Sequence, residues 1–160
     1  MTIKTGDHLP AATFATTTAD GRKNVTTDEL FKGKKVVLFA VPGAFTPTCD
    51  AKHLPGYLEL ADQLHAKGVD TIACVSVNDV FVMNAWAKHA NVAGKVVMLA
   101  DGNGDFARAI GLVLDAKGFG MGERSQRYAL VAEDGVVQQL FVEAGGEFKV
   151  SAAEHVLAAL

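Results

Sequence analysis

Cys49 is one of two cysteines in a chain of 160 residues, and it lies within VPGAFTPTCDAKHLPG at positions 41–56. Pro42, Gly43 and Pro47 precede it, and a pattern that can open a helix follows. A cysteine at a helix start meets unpaired backbone N–H groups and the positive end of the helix macrodipole. Both favour the thiolate, which is the nucleophilic form of the side chain. Thr46, three residues earlier, can offer a hydroxyl to the same pocket, and Thr48 reads as the N-cap of the helix. The prolines fix their own backbone angle and restrict the residue before each, while Gly43 lets the backbone come close. Pro47 also closes the approach to Cys49 without adding a proton donor. Such a loop would hold a thiolate, a hydroxyl and free N–H groups around a space fit for a very small substrate. His53 falls one helical turn beyond Cys49 and reads as a packing or hydrogen-bonding residue near the site. A Cys–His hydrolase would need a third member that the sequence does not name.

Other chemistry fails on spacing. DGNGDF at 101–106 begins like a calcium loop but has Phe106 and Leu112 where glycine and glutamate are required. GFGMGE at 118–123 lacks the spacing of a dinucleotide-binding turn. The histidines are scattered, with no pair and no cysteine partner at zinc spacing. No cofactor is therefore expected, neither metal nor nucleotide. A net charge of −3 argues against nucleic acid as a partner. No apolar run is long enough to span a bilayer, and MTIKTGDHLPAATF does not read as a secretory signal, so the cytoplasm is the expected location.

The elements that must position Cys49 follow from periodicity. With 49% apolar and 21% charged residues the chain can bury a core, and 1–160 is read as a single domain. Lys34–Val41, Val69–Val77 and Lys95–Ala100 are apolar, β-branched runs and read as buried strands. Helical patterns lie between and after them, from Thr48 to Gly68, over Val80–His89 and over Asp105–Gly111. Gln126–Ala132 and Val136–Glu143 flank Glu-Asp-Gly, a hairpin signal. Ser151 with Glu154 three residues on predicts a capping box for a last helix. The expected architecture is α/β, a central mixed β-sheet flanked by helices on both faces. The first third, punctuated by Asp7, Asp20–Gly21 and Gly33, is expected to form short strands or turns.

PGAFTPTCDAKHLPGY resembles the active-site segment of peroxiredoxins, in particular the type II or peroxiredoxin-5-like group. The proline, two threonines and cysteine at 42, 46, 48 and 49 match that pattern, as does HLPGY. The similarity continues through VDTIACVSVND, Trp86–Lys88, LADGNGDFARAIGL and RYALVAEDGVV, and so covers most of the chain in order. The resemblance implies a thioredoxin-like fold and thiol-dependent reduction of hydrogen peroxide and organic hydroperoxides. Cys49 would be the peroxidatic cysteine and become a sulfenic acid, Thr46 would orient the peroxide, and Pro42 would shield the thiolate. Arg127 matches the family's arginine, and Thr46, Cys49, Arg127 and Gly43 would line the substrate site. The residues agree with this for Arg127, since a charge inside a strand-like run needs a partner and a thiolate is a suitable one. Arg124 reads instead as a solvated charge or interface residue.

Cys74 lies 25 residues after Cys49 in an expected central strand. The resemblance leaves it either a resolving cysteine or a core residue. A disulfide needs the two Cα atoms within about 7 Å, and a helix-anchored Cys49 would have to unfold locally to reach it. The reading taken is one-cysteine cycling with glutathione or a glutaredoxin as reductant, and thioredoxin is the alternative should Cys74 reach. The resemblance further implies a homodimer with its contact near Phe119 and Met121. Two rival readings are a dithiol oxidoreductase and a non-enzymatic redox sensor or chaperone-like binder. The first requires CxxC, and Thr46 stands in its first place.

Overall fold

The computed structural model describes residues 2–160. The chain opens with a hairpin, β1 (Thr13–Thr18) and β2 (Gly21–Thr26), then α1 (Thr27–Phe31) and β3 (Lys35–Val41). A π-type turn over Cys49–His53 leads into α2 (Leu54–Ala66). There follow β4 (Thr71–Ser76), α3 (Val80–His89), β5 (Val97–Ala100) and α4 (Asp105–Ala109). The short strands β6 (Val113–Asp115) and β7 (Glu123–Ser125) pair with each other, and β8 (Tyr128–Glu133), β9 (Val136–Val142) and α5 (Ala153–Ala159) complete the chain.

The main sheet has seven strands in the order β2-β1-β5-β4-β3-β8-β9. β3, β4 and β5 run parallel, while β8 and β9 are antiparallel additions on one side and β1 and β2 on the other. Side chains alternate across a strand, so β3 feeds two cores. Val37, Phe39 and Val41 point to the face covered by α2, α3 and α5, together with Cys49 and Cys74. Val36, Leu38 and Ala40 point to the opposite face, with Phe14, Leu30, Phe31 and Phe106. Burial on both faces explains why β3 reads as an unbroken apolar run. The hairpin expected at Glu133–Gly135 is present, with Asp134 at φ 52° and Gly135 at φ 78°, the left-handed pair that a tight β-turn needs.

Two expected helix starts are corrected. Thr48 is helical itself, at φ −68°, and its side chain caps nothing. The segment after it is wider than an α-helix, with Leu54 N–H donating to the Cys49 carbonyl five residues back. Pro55 supplies the reason, because it has no N–H to give to residue 51, and the ladder opens by one residue there. At the other end, α5 is preceded by Ala152 with no side-chain cap. The Ser151 hydroxyl goes instead to Glu143 Oε2 at 2.6 Å, a long-range bond that a local capping pattern does not reveal. A capping box does form elsewhere, between Thr26 and Glu29 at the start of α1.

Asp79 caps α3 by accepting from Val82 N–H at 2.8 Å. Asp79→Ala is expected to lower the unfolding free energy by about 1 kcal/mol in urea titrations, the usual cost of a lost cap, while leaving the thiol chemistry of Cys49 intact.

Candidate active site

The site stands at the carboxyl end of β3, where the chain leaves the sheet. The loop after Val41 is pinned at several points. Ala44 N–H donates to Asn78 Oδ1 at 2.9 Å, and the Ser76 hydroxyl lies within reach of both Asn78 Oδ1, at 2.6 Å, and the Val41 carbonyl, at 3.2 Å. Phe45 takes φ 64°, an unusual angle for a bulky residue, held with its ring 5.5 Å from His89 and 6.3 Å from Trp86. This bend turns Thr46 back toward Cys49. Gly43 sits where a Cβ would be crowded, at 3.0 Å from Thr46 Cγ2 and 3.2 Å from Met121 Cε, so that either neighbour would have to shift. The turn that carries Cys49 is fixed from its other side by Asp50, whose Oδ1 accepts from Trp86 Nε1 at 2.8 Å.

Cys49 is fully buried. Thr46 Oγ1 is 2.8 Å from its sulfur, and Arg127 Nη2 donates to the sulfur at 3.0 Å. Thr46 Oγ1 is also 2.7 Å from the Gly43 carbonyl, and its single hydrogen can serve only one of the two acceptors at a time. The Thr48 and Cys49 amides donate to no backbone acceptor among the described residues, leaving N–H groups free at this end of the turn.

Arg127 immediately precedes β8 and is half-buried. It makes no ion pair with a carboxylate among the described residues. Its other terminal nitrogen, Nη1, donates to His53 Nδ1 at 2.8 Å, and the Phe148 ring lies 5.9 Å from its guanidinium carbon. His53 Nε2 is 3.1 Å from the Ser151 carbonyl. These partners define the tautomer: Nε2 carries the proton and Nδ1 accepts. Burial first, and the Arg127 charge second, push the His53 pKa down to about 3, so the ring is neutral across the physiological range.

Beside the sulfur opens a cleft of about 430 Å3, lined by Pro42, Thr46, Phe119, Met121, Arg127 and Glu143 among others. Its walls are mainly apolar, and Phe119 at its edge is 83% exposed. Thus Cys49, Thr46, Arg127, Pro42 and Gly43 come together. Arg124 is half-buried rather than fully solvated, donating to the Met121 carbonyl at 2.9 Å and reaching the Pro42 carbonyl at 3.5 Å. Cys74 is fully buried in β4 between β3 and β5, opposite Phe39 and Met98. Burial, with Cys49 nearby, pushes the Cys74 thiol well up. Both cysteines are free thiols. Glu143 and Ser151, which support the site from behind, carry no local sequence signal, because their partners are distant in the chain.

The neutral, buried His53 makes stability depend on pH. In the unfolded chain its imidazole takes up a proton below about pH 6.5, whereas in the folded protein it does so only near pH 3. The unfolded state therefore binds more protons between these limits, and stability falls as pH is lowered. From pH 6.5 to 5, above the carboxylate range, the loss from this group is expected to be about 2 kcal/mol. Urea unfolding at several pH values checks this, and His53→Gln should flatten the slope.

The chain matches the Redoxin family model over residues 4–157. It is 56% identical over 164 residues to peroxiredoxin-2E-2, chloroplastic, of Oryza sativa subsp. japonica, covering 99% of this chain and 73% of that one. It is 48% identical over 159 residues to peroxiredoxin-2B of Arabidopsis thaliana, covering 99% and 98%. Among solved structures, that of reduced Prx3 from Vibrio vulnificus in complex with hydrogen peroxide superposes with a TM-score of 0.94 at 57% identity, covering 98% of each chain. These matches run over nearly the whole chain, and the chain belongs to the Redoxin family as a peroxiredoxin, a thiol-dependent peroxidase.

Proposed function

We propose that Cys49 is the peroxidatic nucleophile and that Thr46 and Arg127 bind the peroxide oxygens. The observation that carries this reading is the sulfur itself, buried and flanked at 2.8 and 3.0 Å by two side chains able to donate to an anion. The thiolate sulfur attacks the terminal peroxide oxygen and the O–O bond breaks. An S–O bond forms, so Cys49 becomes a sulfenic acid, and the departing alkoxide or hydroxide takes a proton from solvent to give alcohol or water. In the transition state negative charge spreads over sulfur and both oxygens. A guanidinium that is charged at any working pH, and that pairs with no carboxylate among the described residues, is placed to stabilise that charge. The Thr46 hydroxyl can give its hydrogen to Gly43 and accept one from the peroxide, which orients the O–O bond along the line of attack. Pro42 and Pro47 wall the space without offering competing donors.

The recycling thiol is proposed to come from outside the chain. Cys74 is buried in the middle of the sheet, hydrogen-bonded through its strand on both sides, and held as a neutral thiol. Two equivalents of glutathione, or a glutaredoxin with glutathione, would act in sequence. The first thiol condenses with the sulfenic acid, releasing water and forming a mixed disulfide, and the second attacks that disulfide and frees Cys49. The cleft beside the sulfur gives such a thiol its route, and it also has room for the carbon chain of an organic hydroperoxide. We propose a homodimer as well, with its contact near Phe119 and Met121. Phe119 is an exposed aromatic at the edge of an apolar cleft, a surface that water alone solvates poorly.

Intact-mass analysis of the reduced protein with one equivalent of hydrogen peroxide and a sulfenic-acid trap should give one adduct, mapped to Cys49, at the same rate in Cys74→Ser. Cys49→Ser should give none. A Cys49–Cys74 bridge in place of the adduct would refute one-cysteine cycling. Arg127→Gln is expected to slow the first oxidation about 10²-fold or more, the scale of losing one preorganised donor.

A further inference from the structure

Glu143 stands at the end of β9 and touches neither Cys49 nor the Arg127 guanidinium, yet it holds Arg127 by both ends. Its backbone N–H donates to the Arg127 carbonyl at 3.0 Å. Its side chain gathers the segment that follows: Oε2 accepts from Lys149 N–H at 2.7 Å, Ser151 N–H at 2.9 Å and the Ser151 hydroxyl at 2.6 Å. That segment has no helix or strand of its own, and it contains Gly145 and Gly146. Closed by the carboxylate, it delivers two things to the site. One is the Ser151 carbonyl, which accepts from His53 Nε2 at 3.1 Å and from the Tyr57 hydroxyl at 2.7 Å. The other is Phe148, whose ring lies 5.0 Å from that of His53 and 5.9 Å from the Arg127 guanidinium carbon. His53 in turn accepts from Arg127 Nη1.

A side chain kept only for packing would not look like this. Glu143 is 9% exposed, and its other oxygen, Oε1, is buried with no hydrogen-bond partner among the described residues. Burying a half-satisfied carboxylate is costly where an apolar residue would serve. What an apolar residue could not do is draw three donors of the 149–151 segment to one point. Burial alone would raise the Glu143 carboxyl, but these hydrogen bonds outweigh it and hold the group below the usual carboxylate range.

We infer that Glu143 is a positioning residue for Arg127, acting through Ser151, His53 and Phe148 to aim the guanidinium at the Cys49 sulfur. The inference rests on the reading of Arg127 as the group that binds the peroxide oxygens.

The test is a double-mutant cycle on the first oxidation by hydrogen peroxide, measured by rapid quench and intact mass on the full chain. Glu143→Ala should slow the reaction by about 10²-fold, the scale of a misplacement near 1 Å. Glu143→Gln, which keeps one acceptor oxygen, should recover most of the rate. In the Arg127→Gln background Glu143→Ala should add almost nothing, because its effect passes through the missing guanidinium. Gln139→Ala is the structural control: it removes the 2.9 Å bond to the Ala159 carbonyl that ties α5 to β9, and it should react as the wild type does. Should Glu143→Ala not fold, Glu143→Asp, one methylene short, replaces it in the cycle. Losses that multiply in the double variant, a wild-type rate in the Glu143 variant, or an equal loss in Gln139→Ala would each overturn the inference. If Arg127→Gln alone reacts at the wild-type rate, the reading of Arg127 itself fails, and this inference fails with it.

Discussion

A guanidinium that no carboxylate among the described residues pairs with lies 3.0 Å from a fully buried sulfur, and much of the surrounding structure serves to keep it there. A carboxylate bonded to Arg127 would compete with both the thiolate and the peroxide for its donors. An acceptor is still required for the guanidinium's other side, since a loose arginine would not hold one direction. Neutral His53 supplies that acceptor without supplying charge. It can do so only while its ring stays unprotonated, which burial and the Arg127 charge together ensure. The same pair of effects therefore orients the cation and leaves its charge unspent for the reaction.

The sheet explains why this geometry can be rigid. β3 and β8 are adjacent antiparallel strands, so the chain leaving β3 and the residue entering β8 meet at one end of the sheet. Cys49 comes from the first and Arg127 from the second. Between β3 and α2 the backbone departs from regular geometry twice, at the left-handed Phe45 and at the widened turn before Pro55. Each departure is held by distant partners. Asn78 and Ser76 at the end of β4 hold the first, and Trp86 on α3 holds the second through Asp50.

How legible this was in the sequence depended on distance along the chain. Pro42, Gly43, Thr46 and Cys49 fall within eight positions, so their stiffness and mutual reach follow from local backbone rules. The three parallel strands and α2, α3 and α4 follow from apolar periodicity: α3 keeps both expected ends, the strands and α4 shift by no more than two residues at either end, and α2 proper starts six residues after Thr48, beyond the widened turn. Arg127 needed the family resemblance, because nothing local says that the start of β8 meets the end of β3. Ser151 shows the opposite failure. The Ser-x-x-Glu pattern is a sound local signal, but a carboxylate at 143 took the serine's hydroxyl first. The β6–β7 ribbon has no legible signal, because three-residue strands carry too few alternations to stand out. Arg124 bonds the nearby Met121 carbonyl, but its reach to the Pro42 carbonyl, 82 residues away, depends on the fold and carries no local signal, as with Glu143.

The bond between Trp86 and Asp50 has an optical consequence. Trp86 is the chain's single tryptophan, fully buried, and its indole N–H is committed to the residue next to Cys49. The intrinsic emission of the protein is therefore a local gauge of the turn that carries the reactive sulfur. Oxidation that leaves the turn folded would alter this emission little, whereas an unwinding large enough to bring Cys49 toward Cys74 must break the indole's hydrogen bond and let water reach the ring. Fluorescence thus separates the two fates of the sulfenic acid in unlabelled, native protein.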